Sequence, residues 1–190
     1  SFMMFSNSVI TDASLPNGLK HGINYTGTTT ATLALYAPYK DFVYLLGDFN
    51  DWKVQTDYML NRHVVNSDSV IWWIDLTVSP GTEYAFQYLV DGTIRTGDPY
   101  SEKILDPWND QYIPSTSYPN LKPYPAGKTS QAVTVLQTAQ SEYQWQVTDF
   151  QKPPKEKLII YELYVRDFST QRNYQFLIDT LSYLKSLGIN

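Results

Sequence analysis

The chain has 190 residues, 43% of them hydrophobic, with 14 basic and 19 acidic residues and a formal net charge of −5. That is enough apolar material for a packed core, and the acidic balance disfavours a nucleic-acid or anionic-membrane partner, either of which would want a basic face. No apolar run approaches the ~18 residues of a membrane span, and the absence of cysteine removes disulfides, thiol catalysis and cysteine metal sites together.

Residues 1–20 read as an N-terminal extension; "SFMMFSNSVI" lacks the basic start and long apolar centre of a signal peptide. From about residue 21 to 115 the grammar is strand, turn, strand. "TATLALYA" (30–37), "DFVYLLGDF" (41–49), "VIWWIDLTV" (70–78) and "TEYAFQYLV" (82–90) are each predicted as strands. "SPG" (79–81) is a turn, and Asp91-Gly92 after an alternating strand is a hairpin signal. Short strands at this spacing predict an all-β sandwich. Within it, Trp72 and Trp73 are neighbours and must face opposite sides. One is expected in the core, the other as a surface platform or an interdomain contact.

One turn is unusual. "VYLLGDFNDWK" (43–53) places a Phe and a Trp where small polar residues would serve. Phe49 continues the inward alternation and is expected in the core. Trp52 either folds back onto the sheet or faces outward to hold a flat ligand. The 16 Tyr and 5 Trp of the chain suit strands and interfaces, and they also suit sugar binding, because a pyranose stacks its apolar face on an aromatic ring.

Residues 98–127 carry most of the prolines, so neither a long helix nor a central strand is expected there. An irregular segment wrapping the sandwich is predicted, with Ile104, Leu105, Trp108 and Tyr112 needing cover and Trp108 as its anchor. "QAVTVLQT" (131–138) is a further strand, Trp145 is expected at a joint between domains, and "QKPPKEK" (151–157) is a boundary linker. Residues 116–155 form this wrapping, strand and linker region.

After the linker, "LIIYELYV" (158–165) reads as a strand buried on both faces of a parallel sheet. Leu177, Ile178, Leu181, Leu184 and Leu187 then form one helical stripe, with Asn173 as N-cap and Gly188 as the stop. Residues 156–190 are thus the start of a βαβ unit, truncated before its second strand. Its exposed apolar stripe predicts poor order or self-association with another copy.

His21 and His63, the only histidines, stand far apart, so neither a metal site nor a histidine-dependent triad is expected, and no cofactor is assigned to this chain. Asp48, Asp51, Asp91 and Asp106 sit in turns, where aspartate is ordinary. Glu162 and Asp167 lie on or just after the 158–165 strand. Glu162 is read as a buried structural carboxylate with Arg166 as its candidate partner.

Two groups of motifs resemble a known family. "VYLLGDFNDWK", "YAFQYLVDG" and "DPYSEKILDPWNDQYI" resemble the immunoglobulin-like (early-set) N-terminal β-sandwich of α-amylase-family enzymes, glycoside hydrolase family 13. That sandwich is related to the glycogen-binding modules of branching enzymes and pullulanases. "KLIIYELYVRDFS" and "LIDTLSYLKSLGIN" resemble the first strand and helix of the same family's (β/α)₈ barrel. The resemblance implies an enzyme acting on starch or glycogen, whose catalytic carboxylates lie on later barrel strands and not in this chain. The chain alone is therefore expected to be inactive. Hydrolysis and transfer share these early segments, so both stay open. The resemblance further implies that Trp52 stacks on glucose and that Gln87 hydrogen-bonds sugar hydroxyls. Ile94 stands where a second aromatic platform would be. The implied partners are α-glucan and the chain's own barrel, with a secreted or periplasmic home suggested. A free-standing starch- or glycogen-binding module and an immunoglobulin-like interaction domain are the alternatives.

Overall fold

A computed structural model describes residues 9–190. The residues 1–8 of the expected N-terminal extension lie outside the described set. Two compact units are present, one of residues 9–111 with 122–141, the other of residues 112–121 with 142–190.

The first unit is built of antiparallel strands: β1 (Gly22–Tyr25), β2 (Thr30–Tyr36), β3 (Val43–Gly47), β4 (Asn61–Asn66), β5 (Ser69–Thr77), β6 (Tyr84–Val90), β7 (Ile94–Thr96), β8 (Ile104–Leu105) and β9 (Val133–Leu136). One sheet has the order β1-β2-β5-β4, the other β3-β6-β9-β8, with β7 also pairing β6. The sheets face each other as a sandwich. Strand alternation decides what fills the space between them: Leu33 and Leu35 of β2, Val70, Trp72, Ile74 and Leu76 of β5, Val43 and Leu45 of β3, and Phe86, Tyr88 and Val90 of β6 make one buried cluster with Leu136.

The Asp-Gly hairpin forms as expected. Asp91 and Gly92 both take left-handed backbone angles (φ 49° and 70°), and Val90 pairs Ile94 across the turn. The turn carboxylate is also tied down, since Asp91 accepts the backbone N–H groups of Asp41 (2.8 Å) and Phe42 (3.3 Å).

Trp72 and Trp73 do face opposite sides. Trp72 is fully buried between the sheets and donates its indole N–H to the Ala37 carbonyl at 2.9 Å. Trp73 is neither a platform nor exposed. It packs with Ala34 and Ile71 beneath Ala13 and Leu15 and donates to the Ala13 carbonyl at 3.0 Å. Residues 11–13 are held there by backbone bonds between Arg62 and both Thr11 and Ala13, and by an Asp12–Arg62 ion pair. Of the four residues of the wrapping segment that need cover, only Leu105 is buried, on β8. Trp108, expected as an anchor, is 56% exposed, because the fold fixes this stretch through an aspartate turn in which Asp106 accepts the Trp108 N–H at 2.8 Å.

In the second unit, α1 (Val165–Phe168) and α2 (Tyr174–Ser186) are the regular elements. The caps of α2 are those the sequence indicates: Asn173 accepts the Phe176 N–H at 2.9 Å, and Gly188 takes φ +88°. Leu184 is buried, whereas Ile178, Leu181 and Leu187 are each more than half exposed. The strand expected over 158–165 does not form as a ladder. A strand of this kind requires a parallel neighbour, and here the segment meets Asn190, which exchanges bonds with Ile159 and donates its side-chain amide to the Lys157 carbonyl at 3.0 Å. Glu162 is exposed rather than buried. Arg166 pairs instead with its neighbour Asp167 at 3.0 Å and lies over the Tyr164 ring. No helix among the described residues is long and apolar enough to cross a membrane.

Candidate functional site

The turn after β3 is held by its own polar groups. Asn50 is nearly fully buried. Its Oδ1 accepts the Gly47 N–H at 2.9 Å and its Nδ2 donates to the Leu45 carbonyl at 2.8 Å, so one side chain closes both open backbone groups of the strand end. Gly47 is required by close approach: a Cβ there would lie 2.7 Å from both the Ala85 carbonyl oxygen and the Phe49 ring. Phe49 stacks on Tyr58 with centroids 5.2 Å apart and packs against the sandwich core, as its alternation predicts.

Trp52 folds back. Asp51 and Trp52 both adopt left-handed angles (φ 52° and 60°), and the indole N–H donates to Asp48 Oδ1 at 3.1 Å. The ring is 5% exposed, so it offers no free face in this conformation. Asp48 also accepts the Ala85 N–H at 2.9 Å and pairs Lys122 at 3.0 Å. Asp51 pairs Lys128 at 2.7 Å and Lys53 at 2.8 Å. Those partners, Lys128 first, hold its carboxyl down at about 2.

Gln87 is likewise enclosed. It donates to the carbonyls of Ser130 and Ala132, both at 2.8 Å, and accepts from Thr129 Oγ1 at 2.5 Å. Arg95 reaches the same Thr129 hydroxyl at 3.2 Å. Residues 122–132 therefore form a strap bound both to the Trp52 turn and to Gln87 on β6. Ile94, on β7, is exposed. A wrapping segment was expected over this region, but its grip on Gln87 was not legible, because it is made largely through backbone carbonyls.

A second buried polar cluster went unread in the sequence. Asp98 is 4% exposed and accepts the Tyr88 hydroxyl at 2.8 Å and the Tyr100 N–H at 2.7 Å. Its own N–H donates to Thr134 Oγ1 at 2.7 Å. Burial raises the Asp98 carboxyl above the ordinary carboxylate range. The folded state thus binds this proton more tightly than the unfolded chain. The resulting stabilisation is fully present below the unfolded pKa and is lost as pH rises through the folded one. Asp98→Asn keeps an acceptor for the Tyr100 N–H and carries no charge. Relative to Asp98→Asn, the wild type should lose stability as pH rises through the ordinary carboxylate range and above it. Urea unfolding of both proteins from acid to neutral pH checks this, and a constant difference would contradict it.

Residues 20–109 match the family model of carbohydrate-binding module 48, the isoamylase N-terminal domain. Chloroplastic isoamylase 1 of Arabidopsis thaliana is 24% identical over 186 residues, covering 92% of this chain and 22% of the relative. Two solved structures share the fold. The catalytic module of the multi-modular glycogen-degrading pneumococcal virulence factor SpuA is 22% identical with a TM-score of 0.54, over 90% of this chain and 26% of its own. The Group B Streptococcus pullulanase SAP is 19% identical with a TM-score of 0.51, over 90% of this chain and 23% of its own. The chain spans about a quarter of the length of these relatives.

Proposed function

We infer, from the match of residues 20–109 to the family model of carbohydrate-binding module 48, that this chain is the N-terminal part of an α-amylase-family glycoside hydrolase acting on starch or glycogen. That module match is the observation that carries the reading. In the whole enzyme, one carboxylic acid would protonate the glycosidic oxygen while a second carboxylate attacks the sugar or activates water. Five aspartates of the sandwich are committed elsewhere. Asp48 and Asp51 hold lysines, Asp91 and Asp106 close turns, and Asp98 is buried on Tyr88. The chain alone should release no reducing sugar from glycogen or pullulan, and its role is to hold glucan for a barrel that follows it. Native electrophoresis in glycogen-containing gels tests the binding part, with slowed migration as the expected result. Release of reducing sugar above the buffer control would overturn the assignment of catalysis to other parts of the enzyme.

The burial of Trp52 and Gln87 favours a second reading, in which the module braces the barrel and binds no glucan. Direct contact of Gln87 with sugar needs residues 129–132 to lift away, and contact of Trp52 needs its indole to leave the Asp48 carboxylate. Unchanged migration in every glucan gel would select the brace.

A further inference from the structure

We propose that Tyr36, Tyr39, Tyr100 and His21, with Asp68 at one end, form a stacking platform for the pyranose rings of an α-glucan chain, apart from the Trp52 turn. The proposal rests on the glucan reading above. Its residues come from four places in the sequence that the fold gathers: the start of β1, the end of β2 with the turn after it, the β4–β5 turn, and the segment following β7.

Tyr36, Tyr39 and Tyr100 are 46%, 74% and 60% exposed, and His21 is exposed between two of them. The His21 ring lies 5.6 Å from Tyr36 and 6.2 Å from Tyr100, tilted rather than stacked on either. The rings therefore do not occupy each other's faces as a closed stack would.

The row is also preorganised. Tyr36 donates its hydroxyl to the Asp68 carbonyl at 2.7 Å, and Tyr39 donates to the Asp68 carboxylate. Asp68 is itself steadied by its N–H to Asn66 Oδ1 at 2.9 Å. Tyr100 is fixed through its N–H on buried Asp98, and it can lie against β1 only because residue 22 is glycine: a Cβ there would sit 2.6 Å from the Tyr100 Cβ. The Tyr36 and Tyr39 rings, already held by their hydroxyls, lose little conformational freedom on binding.

Tyr39 is set by its turn. It sits at φ +59°, in a region that bulky residues rarely adopt. The turn projects its ring into solvent, 74% exposed.

The chemistry selects the ligand. The row is aromatic faces edged by hydroxyls, an imidazole and a carboxylate, with no aliphatic side chain among its members. That composition suits a ligand with an apolar C–H face and a rim of hydroxyls better than an apolar protein anchor.

The test is native electrophoresis of the full 190-residue chain in glycogen gels of graded concentration. Tyr39→Ala combined with Tyr100→Ala should weaken retention by about tenfold, two stacking contacts being removed. Tyr39→Phe, which keeps the ring, should be retained nearly as the wild type is. Trp108→Ala, an exposed aromatic outside the row, should be unchanged. Circular dichroism melting of each variant establishes that it is folded. Undiminished retention of the folded double variant, or equal loss in Trp108→Ala, overturns the platform and leaves the glucan reading standing. Absence of wild-type retention overturns the glucan reading and removes the platform with it.

Discussion

Replacing Trp72 with alanine should lower the unfolding free energy by about 3–5 kcal/mol, a large share of what a domain of this size has. Trp72 is the largest fully buried side chain and lies in the middle of β5, opposite Leu35 on β2 and Arg62 on β4. Its loss leaves a cavity between the sheets and strips the Ala37 carbonyl of its indole donor. The adjacent residue is the control. Trp73 faces the small cluster under Ala13 and Leu15, which can collapse more readily than an inter-sheet core. Trp73→Ala should therefore cost less, about 2–3 kcal/mol. Urea denaturation of both variants decides, and equal losses would show that the outer cluster is as stiff as the core.

Asn50→Ala should cost about 2–4 kcal/mol, although it removes only a small polar side chain. The Gly47 N–H and the Leu45 carbonyl would both be left without the Asn50 side chain at the end of β3. The damage would not stay local. Asp48, which orients Trp52 and receives the Ala85 N–H, belongs to the same short helical turn. Asn50→Asp separates the two bonds, since it keeps the acceptor for Gly47 but places a charge against the Leu45 carbonyl. It should be at least as destabilising as alanine. A loss under about 0.5 kcal/mol in either variant would mean that water replaces the side chain freely and that the turn is not set by Asn50.

The sequence revealed what periodicity encodes. β2, β3, β5, β6 and β9 were legible because their apolar residues alternate or run continuously, and the ends of α2 were legible because Asn173 and Gly188 are the residues such ends demand. β4 was missed because "NRHVVN" carries polar residues at both ends and only a weak pattern between. β8 was missed because two residues make no pattern. The direction of Trp52 was not legible either. It depends on left-handed angles at Asp51 and Trp52 and on a bond to Asp48, all settled by close packing rather than by residue type. The same holds for Gln87. Its position was found by resemblance, but its partners are the backbone of residues 130 and 132 and the Thr129 hydroxyl. The row from Tyr100 to Tyr39 escaped notice because its members are distant in sequence and only the sandwich brings them together.

The pairing of β6 bears on the order in which the molecule assembles. Its turn to β7 closes at once, but its other partners come from far away: Gly47 meets Phe86, and Tyr84 meets Leu136. Loop closure must precede any gain from such pairings, which places this sandwich among slow, high-contact-order folders. The β6–β7 hairpin would form early with both outer edges of β6 still incomplete. On a ribosome, β6 could not gain its β9 neighbour until residues 133–136 had emerged, so the sheet that carries Gln87 is the last part of the sandwich to close.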